Sequence, residues 1–290
     1  MSSALREMAV AGLPGLRLRH PGQFRLVTPG RLRAGAVVLA LLAVLGLGLW
    51  RMEIQPARLL SGFGQLLHFL RLMLPPDPGG WAPFRMILQG LAETLAIAFL
   101  GTLVAAVIAF PLGFLAARNA TLHGVVRFAS RRVLDGIRGV DALIWALIWI
   151  SIVGLGPFAG VLAIATSDVG TFGKLFSETI EAADGRPDEG VTAAGGGGLH
   201  RIRFGVLPQV LPVMAGHVLY LFESNTRSST IIGIVGAGGI GLQLAEMIRT
   251  LEWQAVSFIL LLILVLVAVI DALSGRLRAA IMGSRKEASE

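Results

Sequence analysis

The chain has 290 residues, 54% of them hydrophobic and 15% charged, with a formal net charge of +7 and no cysteine. A soluble domain carries about a quarter charged residues, and a single core of this size cannot hide so much apolar surface, whereas lipid solvates it from outside. Without cysteine there is no disulfide framework, thiolate metal site or cysteine nucleophile. The arginines sit in the gaps between long apolar runs, which is the bias of membrane loops and not a nucleic-acid-binding stripe.

Residues 1–33 carry Arg6, Arg17, Arg19, Arg25, Arg31 and Arg33 against the single acid Glu7, and an apolar run follows from Ala34 to Trp50. No small-residue cleavage site precedes Arg51-Met52-Glu53, so the expectation is a cytoplasmic extension followed by an uncleaved first span. Spans need about 20 mostly apolar residues. Six candidates are found, at 34–51, 86–115, 138–156, 157–176, 210–235 and 255–274. The fourth is interrupted by Ser167, Asp168 and Lys174, and Gly154-Leu155-Gly156-Pro157 joins it to the third as a tight turn. Leu59 to Leu74 and Gly241 to Trp253 are amphipathic segments suited to a membrane interface. The expected fold is an all-α polytopic transmembrane bundle. It has an extension at 1–33, a first span with an outer interfacial segment at 34–85, a transmembrane core at 86–274 and a tail at 275–290. Arg118, Arg127, Arg131 and Arg132 follow the second span, Arg186, Arg201 and Arg203 the fourth, and Arg276, Arg278, Arg285 and Lys286 the sixth. The segments between them hold fewer, which orients both termini to the cytoplasm.

The stretch from Asp188 to Pro212, DEGVTAAGGGGLHRIRFGVLPQVLP, is too polar to span and lies between the fourth and fifth spans. Its Glu189, Gly195, Leu207 and Pro208 keep the spacing of the loop E-A-A, three residues, Gly, nine residues, I-x-L-P that ABC importer permeases carry here. Gly190 and Val191 replace the two alanines, Gly205 stands where isoleucine is expected, and Gly195 to Gly198 is a run of four glycines. The upstream string Glu181-Ala182-Ala183 lacks the later anchors. A short helix, a glycine bend and a second helix make a rigid knuckle able to sit in a cleft of a soluble ATPase. Within the expected coupling loop, 177–209, Gly195 should need positive φ or close approach, and Pro208 should fix the chain where it turns back toward the fifth span.

The string from Leu221 to Gly241, LFESNTRSSTIIGIVGAGGIG, resembles the fifth-span motif of phosphonate ABC-transporter permeases. Arg138-Gly139, Trp145-Ala146-Leu147 and Gly154-Leu155-Gly156-Pro157 resemble that family's third span, and Met73-Leu74-Pro75-Pro76-Asp77 its outer loop. The resemblance covers roughly residues 70 to 274. It implies the type I ABC importer permease fold and alternating access in a bacterial inner membrane. It also implies two copies of an ATP-binding subunit, a periplasmic phosphonate-binding protein and a second permease subunit, expected to be identical. No phosphate-binding G-x-x-x-x-G-K-[ST] loop is present, so ATP and magnesium are expected on the partner ATPase and no cofactor on this chain.

Glu223, Asn225, Arg227 and Ser228 lie in the fifth span and are candidates for the translocation path. Glu223 and Arg227, at i and i+4, can form a helix-locking ion pair. Alternatively, Arg227 faces the path and helps a phosphonate dianion cross, since guanidinium suits phosphonate oxygens. Asp168 reads as a packing or dimer-interface residue. Gly236-x-Gly238-x-x-Gly241 matches a dinucleotide fingerprint but follows a span rather than a strand, so it reads as a helix break, with its free N–H groups lining an anion path as the lesser alternative. His68, His123, His200 and His217 share no metal-ligand spacing. Other solutes such as methionine stay open as cargo. An intramembrane enzyme lacks a nucleophile with its base, and a channel would leave the docking loop unexplained. Reporter fusions after Pro78 and after Glu246 should read periplasmic and one after Arg186 cytoplasmic; a cytoplasmic signal after Pro78 overturns the topology.

Overall fold

A computed structural model of the chain describes residues 29–52, 56–121 and 123–287. Most of the expected N-terminal extension lies outside these residues. All regular structure among them is helical. Two compact units divide the chain, Met1–His68 and Phe69–Glu290. The first holds α1 (Pro29–Arg51) and the start of α2 (Pro56–Leu72). α1 is long and apolar enough to cross a bilayer and contains the first expected span.

The second unit holds α3 (Trp81–Ala116), α4 (Gly124–Arg138), α5 (Ala142–Val153), α6 (Pro157–Glu181) and α7 (Arg186–Ala193). They are followed by α8 (Gly198–Ile234), α9 (Ile240–Arg249) and α10 (Trp253–Glu287). The two expected amphipathic segments fall largely on the helices α2 and α9, the second and sixth expected spans fall within α3 and α10, and all but the last residue of the fifth falls within α8.

The third expected span, 138–156, holds a shorter helix than its apolar run suggests, α5 from Ala142 to Val153. Asp141 accepts a hydrogen bond from the Leu143 N–H and starts α5 afresh after Gly139, and α5 leaves α4 at 86°. Twelve residues reach only about 18 Å, short of the ~30 Å hydrocarbon core. Among the described residues, four helices therefore have the length and apolarity of a span, or five if α4 and α5 together count as one. α6 has the length, about 37 Å, but its Asp168 and Lys174 keep it from the apolar class. Its place explains this, because thirteen of its 25 residues are buried within the protein.

α3 and α6 pack through small residues. Along α3, Ala98, Gly101, Ala105, Ala109, Gly113 and Ala116 recur every three or four positions and are all buried. A side chain at Gly101 would come within 2.7 Å of Ile164, and one at Gly113 within 2.8 Å of Phe176. This small-xxx-small pattern lets membrane helices approach closely where lipid gives no hydrophobic drive for association. Phe172, Phe176 and Ile180 of α6 fill the space beyond the alanines, together with Leu134 of α4 and Val210 and Met214 of α8. Gly101→Leu should lower the stability of the detergent-solubilised protein by about 1–3 kcal/mol. Gly216→Ala, at a site with nothing within 4 Å, should leave it unchanged; thermal unfolding of the two variants side by side checks the contrast.

Candidate functional site: a docking loop and an intramembrane ion cluster

Of the expected docking loop, 177–209, the first residues belong to α6, which ends at Glu181, and those from Gly198 onward belong to α8. Asp184 Oδ1 accepts the Arg186 N–H, and α7 starts with Asp188 and Glu189 in its first turn, where the helix dipole favours acids. Glu189 is exposed. At the far end of α7, Gly195 N–H donates to Thr192 O and Gly196 N–H to Val191 O, both at 2.9 Å. This is a Schellman cap, and Gly195 takes its left-handed position with φ 81°. A side chain at Gly195 would meet nothing within 4 Å, so the backbone angle and not close approach requires glycine there. Gly196 is different, because a Cβ would lie 2.6 Å from the Val191 side chain.

The returning arm bears out only part of the expected shape. Leu207 and Pro208 mark no turn, since α8 runs unbroken from Gly198 to Ile234. Arg201–Val206 is wound as a π-helix, with the Leu207 N–H bonded to Ile202 O. Proline in a helix removes an N–H and crowds the carbonyl four residues back, and the wider winding directly before Pro208 accommodates this. Two contacts then tie the arms together. Arg201 grips Asp188 with both ends of its guanidinium, at 2.7 Å and 2.5 Å. Gln209 Nε2 donates to Asp184 O and Gly205 O, while its Oε1 accepts the Asp184 N–H. Gly205 is buried against Asp188, and a Cβ there would lie 3.0 Å from the Asp188 Cα. The departure from isoleucine thus follows from the close packing of the two arms. The Arg201 hydrogen bonds hold the Asp188 carboxyl below its ordinary value.

Inside the bundle, Asn225 Nδ2 of α8 donates to Thr102 Oγ1 of α3 at 2.8 Å and to Asp168 Oδ2 of α6 at 2.5 Å. All three residues are buried, so Asn225 and Asp168 bolt three helices together. Glu223, also buried, pairs with Arg227 at 3.3 Å and with Arg278 of α10 at 3.2 Å. Arg227 is half exposed, on a stripe of α8 with Tyr220, Ser224 and Ile231; Ser228 is half-buried and donates to Ser224 O. Thr102 was an ordinary threonine in an apolar run, and Arg278 read as tail because the apolar run ends before it, yet α10 continues through it.

The glycine-rich segment after α8 holds Gly236, Gly238 and Gly239 at positive φ. Within it, Gly239 N–H donates to Glu93 Oε2 and Ile240 N–H to Thr94 Oγ1. The loop therefore seats the N-terminus of α9 on α3. A side chain at Gly238 would lie 2.7 Å from the Pro157 nitrogen, so the loop also packs on the start of α6.

Residues 109–282, which hold the docking loop and the ion cluster, match the family described as binding-protein-dependent transport system inner membrane component. The chain belongs to that family, whose members are transport permeases and not enzymes. It is 40% identical over 220 residues to the phosphite transport system permease protein PtxC of Stutzerimonas stutzeri, covering 76% of this chain and 79% of PtxC. It is 40% identical over 188 residues to the phosphate-import permease protein PhnE of Mycolicibacterium smegmatis, covering 65% of this chain and 35% of PhnE. Among solved structures, an inward-facing form of the MetNI methionine ABC transporter superposes with a TM-score of 0.61 at 20% identity, over 70% of this chain and 99% of the matched chain. That likeness establishes the fold. It is a multi-pass membrane fold, as the apolar helices require.

Gly195→Val should disrupt the knuckle, because a β-branched residue at positive φ is strained, whereas Gly195→Asn, which tolerates that region, should retain most function. Recovery of the partner ATPase from solubilised membranes measures both. The Asp188–Arg201 clamp, resting on a lowered carboxyl, is complete above the ordinary aspartate range and lost as pH falls through the lowered value. ATPase recovery should accordingly be flat from about pH 5 to 8 in the parent and reduced throughout in Asp188→Asn.

Proposed function

We propose that this chain is the membrane-spanning permease subunit of an ABC importer that moves phosphonate, or a related phosphorus oxyanion such as phosphite, into the cytoplasm. The Schellman-capped α7, clamped to the foot of α8 by Asp188 and Arg201, carries the reading. It is a stiff lever braced against the foot of a membrane-crossing helix. Two ATP-binding subunits, with ATP and magnesium bound on them, drive alternating access by moving this lever through Glu189, Gly195, Leu207 and Pro208. A periplasmic binding protein delivers the cargo, and both termini lie in the cytoplasm, as the arginine bias supports. A second copy of the chain faces the uncovered stripe of α8, and the path runs between the two copies.

The cargo class rests on the names of the relatives, phosphite for PtxC and phosphate for PhnE, and on Arg227, an intramembrane cation on that stripe. Cations in a membrane face a cavity or a partner. Arg227→Gln should cut uptake of methylphosphonate into cells at least about tenfold. Assembly should survive, because Glu223 keeps Arg278 and a half-exposed pair contributes under about 1 kcal/mol. Uptake assays beside ATPase co-purification separate these effects. Normal uptake would remove Arg227 from the path.

A further inference from the structure

Glu223 is shared by two guanidiniums, one on its own helix and one on α10. A structural lock needs only one. Two arginines on a single carboxylate leave a surplus positive charge beside a buried group, which is costly in a membrane protein unless an anion completes it. The grip is also loose. Arg227 reaches Glu223 Oε1 through Nη1 alone, and Arg278 reaches Oε2 through Nη2 alone, at 3.3 Å and 3.2 Å. Elsewhere in the same chain, Arg201 closes on Asp188 through two nitrogens at 2.7 Å and 2.5 Å. The forks of Arg227 and Arg278 are thus not consumed by Glu223, and the side chains are 49% and 24% exposed.

We propose that Arg227 and Arg278 together form a binding site for a tetrahedral phosphorus oxyanion, with Glu223 as the resident counter-charge that the anion displaces. A phosphonate dianion presents three oxygens, and each planar guanidinium fork engages two acceptors side by side. An amino-acid zwitterion offers one carboxylate and an ammonium that both guanidiniums repel, so the charge pattern selects against it. Because the arginines stand on α8 and α10, one bound anion joins two helices. Glu223 keeps the empty site from carrying two uncompensated charges, and its return to the arginines is the step that lets cargo leave without a deep trap. The site rests on the importer reading above and adds to it Arg278 and the role of Glu223.

The test uses the full chain with its ATPase subunits and binding protein in proteoliposomes, with methylphosphonate and phosphite as probes. Arg278→Gln should lower uptake at least about tenfold while basal ATP hydrolysis persists, and Arg278→Lys should not restore it, since an ammonium lacks the planar fork. Rescue by lysine would assign Arg278 a purely structural charge and overturn the proposal. Glu223→Gln, assayed by titration of the solubilised complex with methylphosphonate and with inorganic phosphate, should bind about tenfold more tightly, because the internal competitor is now neutral. Weaker binding by Glu223→Gln would also overturn it. If the parent complex transports neither probe but Glu223→Gln still gains affinity for inorganic phosphate, the oxyanion site stands and the cargo assignment fails.

Discussion

The close approach of α3 and α6 is the constraint on which the rest of the unit depends. In lipid, helices gain little by hiding apolar surface from one another, so contact must come from fit. Gly101 and Gly113 remove side chains where Ile164 and Phe176 press in, and the alanines between them keep the seam narrow. Only with that seam closed do Thr102 and Asp168 come within reach of one amide. Asn225 then donates to both and fixes α8 against the pair. A buried polar group is costly alone and stabilising when satisfied, so the triad also penalises any slip of one helix along another.

From that frame, stiffness extends to both ends of α8. At one end, α7 and the π-wound segment are joined by Asp188, Arg201 and Gln209, and the long helix continues through Pro208 without a break. At the other end, the glycine-rich loop is pinned to Glu93 and Thr94 of α3. Between them, Glu223 connects α8 to α10 through arginines that remain loosely held.

Much of the fold was legible in order along the chain, because apolar length is a local property and the bilayer imposes it on each span separately. The spacing from Glu189 to Pro208 was legible for a similar reason: a capped helix followed by a second helix is built from neighbours in sequence. The shape of the third span was misjudged. Its apolar run has the right composition, but the aspartate cap at Asp141 and the positive-φ Gly154 limit the helix to twelve residues, and the 86° bend falls just before it. The turn expected at Pro208 was misjudged in the opposite sense, because a π segment absorbs what proline would otherwise break.

The sequence by itself determined that this chain lives in a membrane, which segments are apolar enough to lie there, that no nucleotide-binding loop is present, and where the candidate docking loop falls. Each of these depends on residues adjacent in the chain. Only the tertiary structure decided which polar residues are structural and which are available. Asn225 and Arg227 are two positions apart in one motif, yet one is buried on Asp168 and Thr102 while the other is half exposed. Arg278 reaches Glu223 from 55 residues away. Partners so distant in sequence are selected by helix packing, and packing is set by the small residues of a seam whose depth no local pattern records.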